Sequence, residues 1–142
     1  MSIVKMSLNG SALRADVESR TSLADFLREQ MNLTATHLAC EHGVCGACTV
    51  LLNDEPVRGC LTLAVACEGA EVRTFEGLHD DTVMRALVRS FHQNHGLQCG
   101  FCTPAMLVTA RDLILRGKAQ TEQEIRIGLS GNLCRSKIGG CW

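Results

Sequence analysis

Cys40-Glu41-His42-Gly43-Val44-Cys45-Gly46-Ala47-Cys48 holds three cysteines in a Cys-x4-Cys-x2-Cys run, and Cys60 follows beyond a short strand and turn. This is the spacing that wraps four thiolates around a two-iron, two-sulfide (2Fe-2S) cluster. Such a compact core needs a tightly curled loop. Gly43 and Gly46 let the backbone adopt positive φ and turn amide hydrogens toward the sulfurs, and those hydrogen bonds help set a reduction potential. Structural zinc draws two Cys-x2-Cys pairs or mixed Cys/His pairs and fits the run badly. A site with imidazole ligands would need two histidines in place of two of the cysteines, so His42 reads as an exposed loop residue.

Nine cysteines in 142 residues call for a reason, since the number is odd and a reducing compartment does not favour structural disulfides. Metal ligation supplies one. Cys67, after the apolar helical run from Leu61 to Ala66, reads instead as a small buried filler. Charge is nearly balanced, with 14 Lys+Arg against 15 Asp+Glu, so no basic field exists to attract phosphate backbones or anionic lipid. Aromatic content is 4%, too little for a base-stacking surface. The opening MSIVKMSLNG lacks a basic region followed by an apolar one, and no apolar run is long enough to span a bilayer, which leads us to expect a cytoplasmic protein without direct membrane insertion.

Outward from the cysteine loop, the N-terminal side is a hairpin. Val4, Met6 and Leu8 alternate with polar residues, Asn9-Gly10 offers a type I′ turn, and Leu13, Ala15 and Val17 alternate again. Thr21 or Ser22 caps a helix with Leu23, Phe26, Leu27 and Met31 on one face. After the loop, Thr49 to Leu52 and Val72 to Phe75 read as strands, with Asn53-Asp54 as a turn. From Asp80 the period becomes helical: Val83, Leu87, Val88 and Phe91 share a face, and Gly96 is the expected left-handed stop. Thr103-Pro104 reads as an N-cap and first helical residue, with a stripe of Met106, Leu107, Ala110, Leu113 and Ile114 running to Gly117. Thr121 and Glu124 make a capping box for a shorter helix through Ile125 and Leu129.

Gln98-Cys99-Gly100-Phe101-Cys102-Thr103-Pro104 sets two more cysteines at the mouth of that second helix, where its dipole favours thiolate. Alone, a Cys-x2-Cys is weak and leaves a redox dithiol open, although such motifs normally follow a strand. Gly131-Asn132-Leu133-Cys134-Arg135 supplies a further thiolate.

Together CEHGVCGACTV, VRGCLTLA, GLQCGFCTPAM and GLSGNLCR, spread over residues 3–135, resemble the small iron-sulfur subunit of the xanthine oxidase family of molybdenum hydroxylases. That group contains carbon monoxide dehydrogenase, isoquinoline and nicotinate dehydrogenases and aldehyde oxidoreductases. The resemblance implies an α+β chain. Residues 1–76 would form a β-grasp, ferredoxin-like 2Fe-2S domain on Cys40, Cys45, Cys48 and Cys60. Residues 77–142 would form an α-helical bundle domain binding a second 2Fe-2S cluster through Cys99, Cys102 and Cys134. It also implies a separate large subunit whose molybdopterin centre oxidises or hydroxylates a substrate, with Gln98 hydrogen-bonded to that pterin. Electrons would then leave singly for a flavin subunit or another acceptor, and this chain would hold no catalytic residue.

The family pattern closes with Cys-Arg-Cys-Thr-Gly-Tyr and one more helix, whereas here Cys134-Arg135-Ser136-Lys137-Ile138-Gly139-Gly140-Cys141-Trp142 follows. Ser136 stands where the family has a cysteine, and Cys141 is the other candidate for a fourth ligand, with two glycines to let the tail fold back. Without the last helix, Met106, Leu113 or Leu129 is expected to be exposed unless a partner covers it. The leading expectation is an electron-transfer subunit of a heteromeric molybdenum hydroxylase. A free-standing ferredoxin-like carrier would need the first cluster alone, and a zinc-dependent interaction module would need neither.

Overall fold

The computed structural model describes residues 1–136. Strands β1 (Ser2–Leu8) and β2 (Ser11–Val17) form the expected hairpin, and Asn9 and Gly10 at its turn take φ of 50° and 84°, as a type I′ turn requires. Ser22 caps a single turn of helix, α1 (Leu23–Asp25), its hydroxyl accepting from the Asp25 amide at 3.0 Å. The helix expected through Met31 then widens into a π-turn at Phe26–Gln30, because the Met31 amide reaches back five residues to the Phe26 carbonyl at 3.2 Å. Phe26 and Leu27 both remain fully buried.

Strands β3 (Thr49–Leu52), β4 (Glu55–Arg58) and β5 (Glu71–Arg73) complete a sheet of order β2-β1-β5-β3-β4, parallel between β1 and β5 and antiparallel elsewhere. β5 stops two residues before the expected Phe75, since the Thr74 amide donates to the Asn9 side chain at 2.8 Å and Phe75 enters a 3-10 turn, Phe75–Leu78. Successive strand residues face opposite ways, and β3 is buried on both sides. Val50 joins Val4, Met6, Leu23, Phe26 and Leu27 in one core, while Leu51 meets Leu78, Met84, Leu107 and Val108 in another. Each such fully buried aliphatic contributes about 1.5–3 kcal/mol. The first cysteine loop runs directly into β3 and so is anchored on the strand that both cores share. Cys67 ends a 3-10 turn, Ala64–Cys67, and fills the first core as expected, but Leu61 upstream is exposed and not helical.

Helices α2 (Thr82–Gln93), α3 (Thr103–Leu115) and α4 (Glu122–Gly128) form the second layer. On α2 the inward residues are Met84, Leu87 and Phe91, and Val88 turns outward. The left-handed residue after α2 is His95, at φ 53°, one place before the expected Gly96. Gly96 is needed for space instead, because a Cβ there would stand 2.9 Å from the Phe91 ring. Cys102, rather than Thr103, holds the N-cap position of α3. Met106 and Leu129 are buried against each other, contrary to the expected exposure, and Leu113 is partly buried beside them. An apolar cleft of about 260 Å³ does open between Leu87, Phe91, Leu113, Ile125 and Leu129. No helix among the described residues is long and apolar enough to cross a membrane.

Asp81 locks the helical layer. Its carboxylate accepts from the Met84 amide at 2.8 Å as the α2 cap and from Arg111 of α3 at 2.9 Å. Arg111 is 8% exposed, and its Nε has no partner among the described residues, so truncating Asp81 strands a buried cation. Asp81→Ala is expected to cost about 3–5 kcal/mol in denaturant unfolding. The Arg111 guanidinium holds the Asp81 carboxyl below its ordinary 3.8, so the stabilisation is complete above that value and is lost as the pH falls through the lowered folded value. The gap between wild type and Asp81→Asn should therefore narrow from about pH 7 to about pH 2, and a pH-independent gap would contradict the assignment.

Candidate metal centres

The eight cysteines within the described residues are all free thiols. In the first loop Glu41, Gly43 and Gly46 take φ of 55°, 87° and 75°, which curls the backbone around Cys40. The Cys45 and Val44 amides each donate to Cys40 Sγ at 3.3 Å and the His42 amide at 3.5 Å. The Ala47 amide donates to Cys45 Sγ and the Cys60 amide to Cys48 Sγ, both at 3.5 Å. The cradle lowers the Cys40 thiol from 9.0 to about 6, with the Cys45 amide the largest cause and the His42 amide next. Burial, then the neighbouring Cys48, raises Cys60 to about 11. A group with that affinity for its proton becomes a thiolate when a cation lies beside it. The His42 imidazole turns to the Cys40 carbonyl, with Nδ1 at 2.7 Å, and not to a sulfur.

The sulfurs stand in pairs: Cys40 beside Cys45, and Cys48 beside Cys60. Two thiolates on each of two bridged irons is the demand of a 2Fe-2S cluster, and the donor set fits it.

The second constellation repeats the pairing. Burial, then Cys134 alongside, raises Cys102 to about 11, and the Ser136 hydroxyl donates to Cys99 Sγ at 3.3 Å. That hydroxyl is the largest cause lowering the Cys99 thiol, followed by the Phe101 amide. Cys99, Cys102, Cys134 and Ser136 are thus brought together, whereas Cys141 lies outside the described residues. Gln98 is exposed beside Cys99.

The two constellations touch through Leu133, Asn132 and Arg58, which lie inside the quoted motifs but were given no role there. The Leu133 amide donates to the Cys45 carbonyl at 2.8 Å, so one hydrogen bond separates backbone belonging to the two sets. Asn132, 7% exposed, donates to the Gly46 carbonyl at 3.1 Å and accepts from Thr109 of α3 at 2.9 Å. Arg58 spans the same seam, donating to Thr49 Oγ1 at 2.6 Å and to the Gly131 carbonyl at 2.7 Å. On the other side His37 stacks on Phe101 at 4.5 Å between ring centres, its Nδ1 2.6 Å from the Phe101 carbonyl. Asn132 stands inside the quoted GNLCR stretch, but nothing local marks it as buried. Around Cys99 the surface is apolar, with Leu97, Phe101 and Leu133 each about half exposed.

Residues 6–76 match the family model of a 2Fe-2S iron-sulfur cluster binding domain, and residues 74–137 match that of a 2Fe-2S binding domain. The chain is 51% identical over 136 residues to caffeine dehydrogenase subunit gamma of Pseudomonas sp. (strain CBB1), covering 94% of this chain and 81% of the relative. It is 44% identical over 132 residues to the nicotine 6-hydroxylase small subunit of Paenarthrobacter nicotinovorans, covering 93% and 79%. The crystal structure of quinoline 2-oxidoreductase from Pseudomonas putida 86 contains a chain that superposes with a TM-score of 0.92 at 45% identity, over 99% of this chain and 86% of that one.

Proposed function

Because this chain belongs to the small iron-sulfur subunits of the xanthine oxidase family of molybdenum hydroxylases, we propose that it relays electrons one at a time from a molybdopterin-bearing large subunit to a flavin subunit or comparable acceptor. Two 2Fe-2S clusters supply the redox chemistry, each taking up and giving back a single electron. The protein holds them. We assign Cys40, Cys45, Cys48 and Cys60 to the first, and Cys99, Cys102 and Cys134 to the second, with residues 1–76 and 77–142 as the two domains. The observation that carries this reading is the contact between the two paired-sulfur constellations, joined from the Cys45 carbonyl to the Leu133 amide at 2.8 Å.

Each part of the chain has work in this scheme. Amides aimed at Cys40 favour the more negative, reduced state and tune its potential. Asn132 and Arg58 fix the separation across which an electron must pass. Leu97, Phe101 and Leu133 offer an apolar collar around Cys99 that the large subunit would cover, bringing Gln98 to its pterin. We place the complex in the cytoplasm, where free thiols stay reduced.

A lone ferredoxin-like carrier has no use for α2, α3 and the second constellation, and this favours the subunit reading. Electron paramagnetic resonance of the dithionite-reduced complex purified from its native host tests it. Two distinct 2Fe-2S signals are expected, with about four irons and four sulfides per chain beside a molybdenum protein. One signal without a molybdenum partner would leave the carrier, and zinc without visible absorbance would end both.

A further inference from the structure

We propose that Ser136 is the fourth ligand of the second centre, binding iron through its Oγ. This rests on the reading of Cys99, Cys102 and Cys134 as ligands and goes beyond it by choosing an oxygen donor over the sulfur of Cys141.

Four donors serve two irons in pairs. Three of the four pairs consist of two sulfurs: Cys40 with Cys45, Cys48 with Cys60, and Cys102 with Cys134. In the fourth, Cys99 is matched by the Ser136 hydroxyl at 3.3 Å. Arg135 alone separates Cys134 from Ser136, so neighbouring positions of one short segment supply the second member of both pairs. The partner position of Cys99 is thus already held by a group able to ligate.

Ligation is a proton-for-metal exchange. The Ser136 O–H bond breaks, an Fe–O bond forms, the proton passes to solvent, and no oxidation state changes. Ser136 is exposed, so the proton has an exit, and the charge of a ferric ion lowers the affinity of the oxygen for it. An alkoxide is a harder donor than a thiolate and favours the ferric state. The second centre should therefore be harder to reduce, and lose its iron more readily, than a version with four thiolates.

The full chain in its native complex is compared with Ser136→Cys, Ser136→Ala and Cys141→Ala, by iron and sulfide content, paramagnetic resonance and dye-mediated redox titration. The first centre's signal reports folding in each. Expected are two signals in wild type and in Cys141→Ala, loss of the second alone in Ser136→Ala, and a shift of the second to higher potential in Ser136→Cys. Loss of the second signal in Cys141→Ala with retention in Ser136→Ala would overturn the inference and leave the two-centre reading intact. So would a second signal that appears in Ser136→Cys and is missing from wild type. Absence of a second signal from all four chains would defeat the two-centre reading itself.

Discussion

Cys48→Ala is expected to remove the first cluster and spare the second, lowering iron and sulfide from about four of each to about two per chain. The remaining paramagnetic signal should belong to the second centre, and electron delivery to the acceptor should cease. Cys48 is 2% exposed, beside Cys60, and its carbonyl accepts the Gly59 amide at 3.1 Å, so truncation leaves a fixed, buried position with no ligating atom of its own. The fold should survive, since the cores around Val50 and Leu51 do not include Cys48. Cys67→Ala is the matched control. Cys67 is equally buried, but it packs among Val4, Val17 and Phe26 and donates to the Leu63 carbonyl. Its loss should cost about 1 kcal/mol of stability and no iron. If Cys48→Ala kept four irons, or Cys67→Ala lost two, the ligand assignment would be wrong.

The sequence draws that same contrast between two buried cysteines, because ligand spacing is local: four thiols within 21 residues and two glycines define the loop almost without the rest of the chain. The hairpin at Asn9-Gly10 and the caps at Ser22 and Thr121 obey equally local rules. What escaped depends on which surfaces meet. Val88 was placed inward by its period, but α3 meets the Met84, Leu87 and Phe91 side of α2, and a stripe three residues wide leaves its flank in water. Asn132 was given no role, since its partner at Gly46 lies 86 residues away and periodicity carries no information over that distance. Met106 and Leu129 were expected to be uncovered because the family's last helix was the cover considered; α3 and α4 instead close on each other.

The seam between the two constellations makes the second large prediction. Gly46 takes φ of 75°, which costs a residue with a side chain about 1–2 kcal/mol, and a Cβ there would strike the Gly131 carbonyl and stand 2.9 Å from Asn132 Nδ2. Neither neighbour can withdraw alone. Arg58 holds the Gly131 carbonyl at 2.7 Å, and the Leu133 amide is tied to Cys45 at 2.8 Å, so the whole segment ahead of Cys134 must move and surrender the Asn132 hydrogen bonds. Gly46→Ala is expected to destabilise the chain by about 3–4 kcal/mol, combining backbone strain with one or two lost hydrogen bonds. It should also weaken the magnetic interaction between the reduced clusters and slow transfer between them. Gly10→Ala separates the causes: its φ of 84° imposes similar strain, but nothing lies within 4 Å of the added methyl. It should cost about 1–2 kcal/mol and leave both cluster signals and their interaction unchanged. Equal losses in the two variants, with cluster coupling intact in both, would mean that close approach at Gly46 does not hold the electron path together.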